Sequence, residues 1–135
     1  MNVILPSVSG SFGETPELTF PADVEAPKGL RVEVLEQGNG PVVTAGQEIE
    51  VNYHGQIWNG DIFDSSYFRG EPTRFPIGVG MVIQGWDQAI VGKQVGSRLL
   101  ISVPPVKGYG KNGNPRAGIS GTDVLVFVVD ILGAH

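Results

Sequence analysis

Apolar and polar positions alternate with a period of two along four stretches of the chain. In the first, Leu30, Val32 and Val34 face one way and Arg31, Glu33 and Leu35 the other, until Gly38-Asn39-Gly40-Pro41 breaks the run. This predicts a half-buried strand and a turn. In the second, Ile49, Val51 and Tyr53 alternate with Glu48, Glu50 and Asn52, and the segment runs on toward Trp58, where Asn59-Gly60-Asp61 supplies hairpin residues. Leu99, Ile101 and Val103 mark a third strand, and Leu125, Phe127, Val129 and Ile131 a fourth. Both are expected to be central, because their runs are rich in β-branched and aromatic side chains.

One short helix interrupts the strands. Ile83, Trp86 and Ile90 fall at i, i+3 and i+7, one face of an α-helix, and Gly92 stands where a left-handed residue ends such a helix. Several strands against one two-turn helix predict an α+β domain, a five- or six-stranded twisted antiparallel sheet curled around the helix so as to cover its apolar face.

The start of the chain follows neither period. Pro6, Pro16, Pro21 and Pro27 stand among Ser, Gly and Glu, so residues 1–27 are expected to be an extended arm, with one short strand at Leu18–Phe20, and residues 28–135 the domain. Ser11 and Glu14 have the spacing of a helix capping box, but Gly13 and Pro16 occupy the would-be first turn and no apolar stripe follows.

Composition narrows the classes of function. A chain of 135 residues suits one domain, and 20 Gly with 10 Pro interrupt it too often for long helices. A net charge of −5 with only nine Lys and Arg offers no basic footprint for phosphate backbones or anionic lipid, so neither nucleic acid nor membrane is an expected partner. There is no cysteine, which removes thiol chemistry and disulfides. No basic, apolar leader pattern is present at the N-terminus and no apolar run approaches membrane-spanning length, so the cytoplasm is the expected compartment.

Several familiar chemistries fail on spacing. Gly78-Val79-Gly80 is not completed to a dinucleotide fingerprint, and Gly92-Lys93 is followed by Gln94 where a phosphate-binding loop needs Ser or Thr. Asp61, Asp64 and Glu71 match no calcium-loop pattern. His54 with Ser65 and Ser66 beside Asp64 contains the residue types of a hydrolytic triad but no strand-to-helix nucleophile elbow.

What remains is a set of aromatic residues in loops and at strand ends: Tyr53, Trp58, Phe63, Phe68, Phe75, Trp86, Tyr109 and Phe127. Each has a plain alternative as core filler. The stretches that carry them, Val51-Asn52-Tyr53-His54-Gly55, Phe63-Asp64-Ser65-Ser66, Phe75-Pro76-Ile77-Gly78, Val82-Ile83-Gln84-Gly85-Trp86, Gly108-Tyr109-Gly110 and Leu125-Val126-Phe127, occur in order over roughly residues 28–133. Together they closely resemble the FKBP family, the macrolide-binding prolyl isomerases.

That resemblance implies a peptidyl-prolyl cis/trans isomerase whose pocket has Trp86 as floor and Tyr53, Phe63, Val82, Ile83, Tyr109 and Phe127 as walls, with Phe75 also assigned to substrate binding. Asp64 would act on the rotating carbonyl, oriented by Arg69; the Tyr109 hydroxyl and the Ile83 N–H would donate to carbonyls of the ligand. Tyr53 is either a support for Asp64 or simply the inward end of its strand. Ile119 would supply an apolar contact from the loop Arg116-Ala117-Gly118-Ile119, one residue longer than in eukaryotic relatives. The chain departs from many relatives at Thr73, where an aromatic is common, and at Asn114, where a histidine is common, so one wall is smaller and more polar.

The implied partners are proline-containing peptides and unfolded or partly folded proteins, with macrolides such as rapamycin as inhibitors. No cofactor is implied and a monomer is expected. The alternative is a domain that holds such ligands without turning them over.

Overall fold

The computed structural model describes residues 4–135. Among the described residues there are eight strands: β1 Ser7–Ser9, β2 Glu17–Thr19, β3 Arg31–Glu36, β4 Glu48–Ile57, β5 Ile62–Ser65, β6 Thr73–Pro76, β7 Arg98–Val103 and β8 Leu125–Ala134. Two α-helices join them, α1 Ser66–Arg69 and α2 Gln84–Ile90. The main sheet has the order β3-β7-β8-β4-β5, with β6 also on β4, and every pairing is antiparallel.

The ten residues of β4 organise the site. One edge pairs with β8 along nearly its whole length. Its other edge is shared: Glu48–Val51 pair with β6 and His54–Gln56 with β5. The chain leaves the sheet between these pairings, and α1 occupies the gap.

On the inner face, Ile49, Val51, Leu99, Ile101, Val103, Phe127, Val129 and Ile131 pack with Trp86, Ala89 and Ile90 of α2. Each fully buried aliphatic here contributes roughly 1.5–3 kcal/mol. Gly85 permits the contact: a Cβ on it would lie 2.8 Å from a Val103 methyl, so only glycine lets α2 settle this close to β7. Past the helix, Gly92 takes φ 93° and its N–H reaches the Val43 carbonyl at 2.8 Å, ending α2 where the spacing predicts.

Two expectations change. The first predicted strand, β3, is an edge strand pairing only with β7; Val32 and Val34 remain 36% and 37% exposed, and it is Leu35 on the opposite face that packs against the sheet's outer cluster. The N-terminal segment does more than extend: β1 and β2 form a hairpin whose Leu5, Val8, Leu18 and Phe20, with Leu35 and Trp58, cover Leu100, Val126 and Val128 on the outer face of the sheet. The first three residues of the expected arm lie outside the described residues. At the hairpin turn Glu14 does cap Ser11, its Oε1 accepting the Ser11 N–H at 2.7 Å, but it closes a loop and no helix follows.

Candidate functional site

The inner face, α2 and the loop after β7 enclose an open pocket of about 600 Å³. Trp86 lies at its base, 6% exposed, presented by the first turn of α2. Three aromatic rings box the indole: Tyr53 and Phe127 meet it edge-on with centroids 5.1 Å away, and Phe75 is tilted against it at 5.3 Å. These rings converge because Tyr53 and Phe127 point inward from the neighbouring strands β4 and β8, while β6 carries Phe75 on the far edge of β4. Such quadrupole-matched contacts add about 0.5–1.5 kcal/mol per pair beyond area burial and leave a rigid apolar base.

One polar corner interrupts these walls. Asp64, on β5, accepts the Tyr53 hydroxyl on Oδ2 and an Arg69 N–H on Oδ1. Arg69 closes α1, lies 5.6 Å over the Tyr53 ring, and donates to Thr73 Oγ1 at 3.2 Å. Burial first, and the hydrogen bond to Asp64 second, raise the Tyr53 hydroxyl above its ordinary value, so it stays a donor to the carboxylate. A carboxylate held from both sides carries a fixed field at the pocket edge without having to reorganise when a ligand arrives.

The remaining wall comes from loops. Tyr109 sits between the 3-10 turns Pro105–Lys107 and Gly110–Asn112, 41% exposed, with its ring on the pocket. Val82 and Ile83, just before α2, line the opposite approach together with Gly80 and Met81. Ile83 is the N-cap of α2, its carbonyl accepting the Trp86 N–H at 3.0 Å.

The structure brings Tyr53, Phe63, Asp64, Phe75, Val82 and Ile83 to the pocket, and with them Trp86, Tyr109 and Phe127. Arg69 stands one contact back, against Asp64. Ile119 does not reach: it is 4% exposed in the core, its backbone paired with Asn114, and Ala117 from the same loop lines the pocket instead. The loop closes on itself through that bridge and turns the isoleucine inward. Of the remaining aromatics, Trp58 packs edge-on with Phe20 on the outer face, and Phe68 lies exposed beside His54. His54 and Ser65 are buried, 1% and 4% exposed, with Nδ1 to Oγ at 3.4 Å, and neither lines the aromatic pocket.

Sequence reasoning missed Asp87. Its two carboxylate oxygens accept the N–H groups of Gly78 at 2.7 Å and Gly80 at 3.0 Å, which pins the loop that presents Met81 and Val82. The available signal was an acid in the first turn of a helix that starts four residues after the Gly78-Val79-Gly80 stretch.

Known proteins resemble this chain in sequence and fold. The profile of the FKBP-type peptidyl-prolyl cis-trans isomerase family matches residues 40–132. The FK506-binding protein of Streptomyces anulatus is 39% identical over 120 residues, covering 88% of this chain and 96% of that protein. The peptidyl-prolyl cis-trans isomerase Mip of Coxiella burnetii is 41% identical over 105 residues, which span 77% of this chain and 44% of Mip. The crystal structure of AtFKBP13 superposes with a TM-score of 0.73 at 38% identity, over 81% of this chain and 95% of that one. With its aromatic pocket, its braced Asp64 and these relatives, the chain belongs to the FKBP-type peptidyl-prolyl cis-trans isomerases.

Proposed function

We propose that this isomerase turns the X-Pro bond with the proline ring on the Trp86 indole and the preceding carbonyl toward the corner formed by Asp64. The amide barrier is about 18–20 kcal/mol, and no bond is made or broken in crossing it. At the twisted transition state the amide loses its resonance and much of its charge separation. An apolar cage therefore favours that state relative to water, which stabilises the planar amide, and this difference in binding lowers the barrier. Phe63, Phe127 and Val82 exclude water, the Tyr109 hydroxyl and the Ile83 N–H hold carbonyls of the peptide, and the chemistry requires no cofactor. The braced position of Asp64, bonded at once by Tyr53 and Arg69, is the observation that carries this reading.

The substrates on this reading are proline-containing peptides and partly folded proteins, met by a cytoplasmic monomer. Macrolides such as rapamycin would compete for the same pocket. Thr73 and Asn114 line it with small polar groups where an aromatic and a histidine are common, so bulky macrolides gain less contact there. A protease-coupled or NMR exchange assay on Xaa-Pro tetrapeptides, with and without rapamycin, tests the reading. Acceleration suppressed by the macrolide is expected; acceleration that Asp64→Asn and Tyr109→Phe both leave unchanged would overturn the assignment of the site.

A further inference from the structure

The outer face of the sheet holds a buried ionic cluster that the isomerase pocket does not use directly. Arg98 of β7 and Asp130 of β8 are cross-strand partners with side chains 1% and 0% exposed. Arg98 Nε donates to Asp130 Oδ1 at 2.7 Å, and a terminal nitrogen to Oδ2 at 2.9 Å. The other donations of Arg98 reach the carbonyls of Gly10 at 2.9 Å and Glu14 at 2.5 Å, and the Tyr67 oxygen at 3.3 Å. Asp130 Oδ2 in turn accepts the Gly13 N–H at 2.8 Å and the Tyr67 hydroxyl. The loop between β1 and β2 thus closes over the pair and satisfies it from above.

A buried ion pair is a poor source of stability, since well-packed apolar residues of similar volume often do as well or better. What an apolar pair would lack is a fixed acceptor for Tyr67. Burial, and then the bond to Asp130, raise the Tyr67 hydroxyl, which keeps it a donor. Tyr67 belongs to α1, a single turn of four residues too short to hold its own shape. Its other anchor is Ser66, whose Oγ accepts the Tyr53 N–H at 2.8 Å and donates to Asn52 Oδ1 at 2.9 Å. Two residues beyond Tyr67 comes Arg69, the group that grips Asp64.

We propose that Tyr67 is a positioning residue for the isomerase: clamped by the Asp130–Arg98 pair under the N-terminal loop, it sets α1 and thereby the hold of Arg69 on Asp64. The N-terminal hairpin, which lies ahead of the stretch matched by the family, is on this account part of the catalytic apparatus. The inference rests on the role given above to Asp64 and Arg69.

The experiment is a mutant cycle on the full chain, with kcat/KM and the urea midpoint measured for each variant. Tyr67→Phe keeps the ring and leaves Asp130 bonded to Arg98 and Gly13, so the fold should persist, while kcat/KM falls about fivefold, the rate equivalent of one lost hydrogen bond. In an Arg69→Ala background the same substitution should change kcat/KM by less than about 1.5-fold, because its effect passes through Arg69. Gly13→Pro, which removes the N–H donated to Asp130 and cannot adopt the φ of 90° found there, should lower activity from the arm's side and be non-additive with Tyr67→Phe. An equal loss in both Arg69 backgrounds would make Tyr67 merely structural and overturn the proposal. So would wild-type activity in Tyr67→Phe beside an impaired Arg69→Ala, an outcome that leaves the role of Asp64 intact. Full activity in Arg69→Ala would instead overturn the reading of the Asp64 corner itself.

Discussion

Phe63 meets Phe127 edge to face, ring centroids 5.6 Å apart and planes at 88°. The two differ in what lies behind them: Phe127 is 3% exposed on central strand β8, whereas Phe63 is only partly buried on edge strand β5. Phe63→Ala is therefore expected to cut kcat/KM by about tenfold or more through loss of the cage wall. Its stability cost should be about 1–2 kcal/mol, against about 3–5 kcal/mol for Phe127→Ala. Activity and urea midpoint measured on both variants check this; a large midpoint shift with intact specific activity in Phe63→Ala would place that ring in the core.

Gly55 sits beneath the same pair of rings. A Cβ at this position would stand 2.7 Å from Phe63 Cζ and 3.0 Å from a Phe127 ring carbon. Gly55→Ala must therefore displace a pocket wall, and overpacking of this kind costs about 1–3 kcal/mol. A loss of macrolide and peptide affinity larger than the loss of stability is expected, read by calorimetry and denaturant titration; unchanged affinity would mean that the rings yield freely.

Asp64 and Arg69 are 38% and 45% exposed, so their ion pair contributes only about 0–1 kcal/mol to folding. Asp64→Asn should leave the urea midpoint nearly unchanged while lowering kcat/KM by about tenfold, since shape persists and the charge beside the rotating carbonyl goes. Wild-type catalysis in this variant would remove Asp64 from the mechanism.

His54 separates the pH dependence of stability from that of activity. Burial lowers its pKa from the ordinary 6.5, with the hydrogen bond to Gln56 acting weakly the other way. The unfolded chain thus binds the proton more tightly than the folded one. The stability that a neutral His54 permits is fully present above about pH 6.5 and is lost as pH falls below that value toward the lowered folded pKa. Urea midpoints should be level from about pH 8 to 7 and decline toward pH 5, less so in His54→Gln. Because His54 lies outside the pocket, kcat/KM should stay flat from about pH 6 to 8. A bell-shaped rate profile in that window would bring His54 into the chemistry.

The sequence by itself determined the elements and the chemical type of the site. Period-two alternation is a local property of the backbone, so the runs at Ile49–Tyr53, Leu99–Val103 and Leu125–Ile131 announced their strands wherever those strands would lie, and Ile83, Trp86 and Ile90 announced the helix. Asp64 was assigned to the pocket through the resemblance of Phe63-Asp64-Ser65-Ser66 to the FKBP family, a short contiguous motif that needs no tertiary contact to be seen. Tertiary structure decided what depends on contacts between distant segments. Whether Ile119 or Ala117 meets a ligand turns on how one loop bridges back on itself. Whether an aromatic is wall or filler turns on its neighbours, which put Trp58 under the hairpin and Phe127 against Trp86. The burial of Arg98 and Asp130 is the sharpest case. Charged residues in a strand read as a solvated face, and it takes Tyr67 and the Gly10–Glu14 loop, the latter more than 80 residues away from Arg98 in sequence, to supply the partners that let both charges leave water.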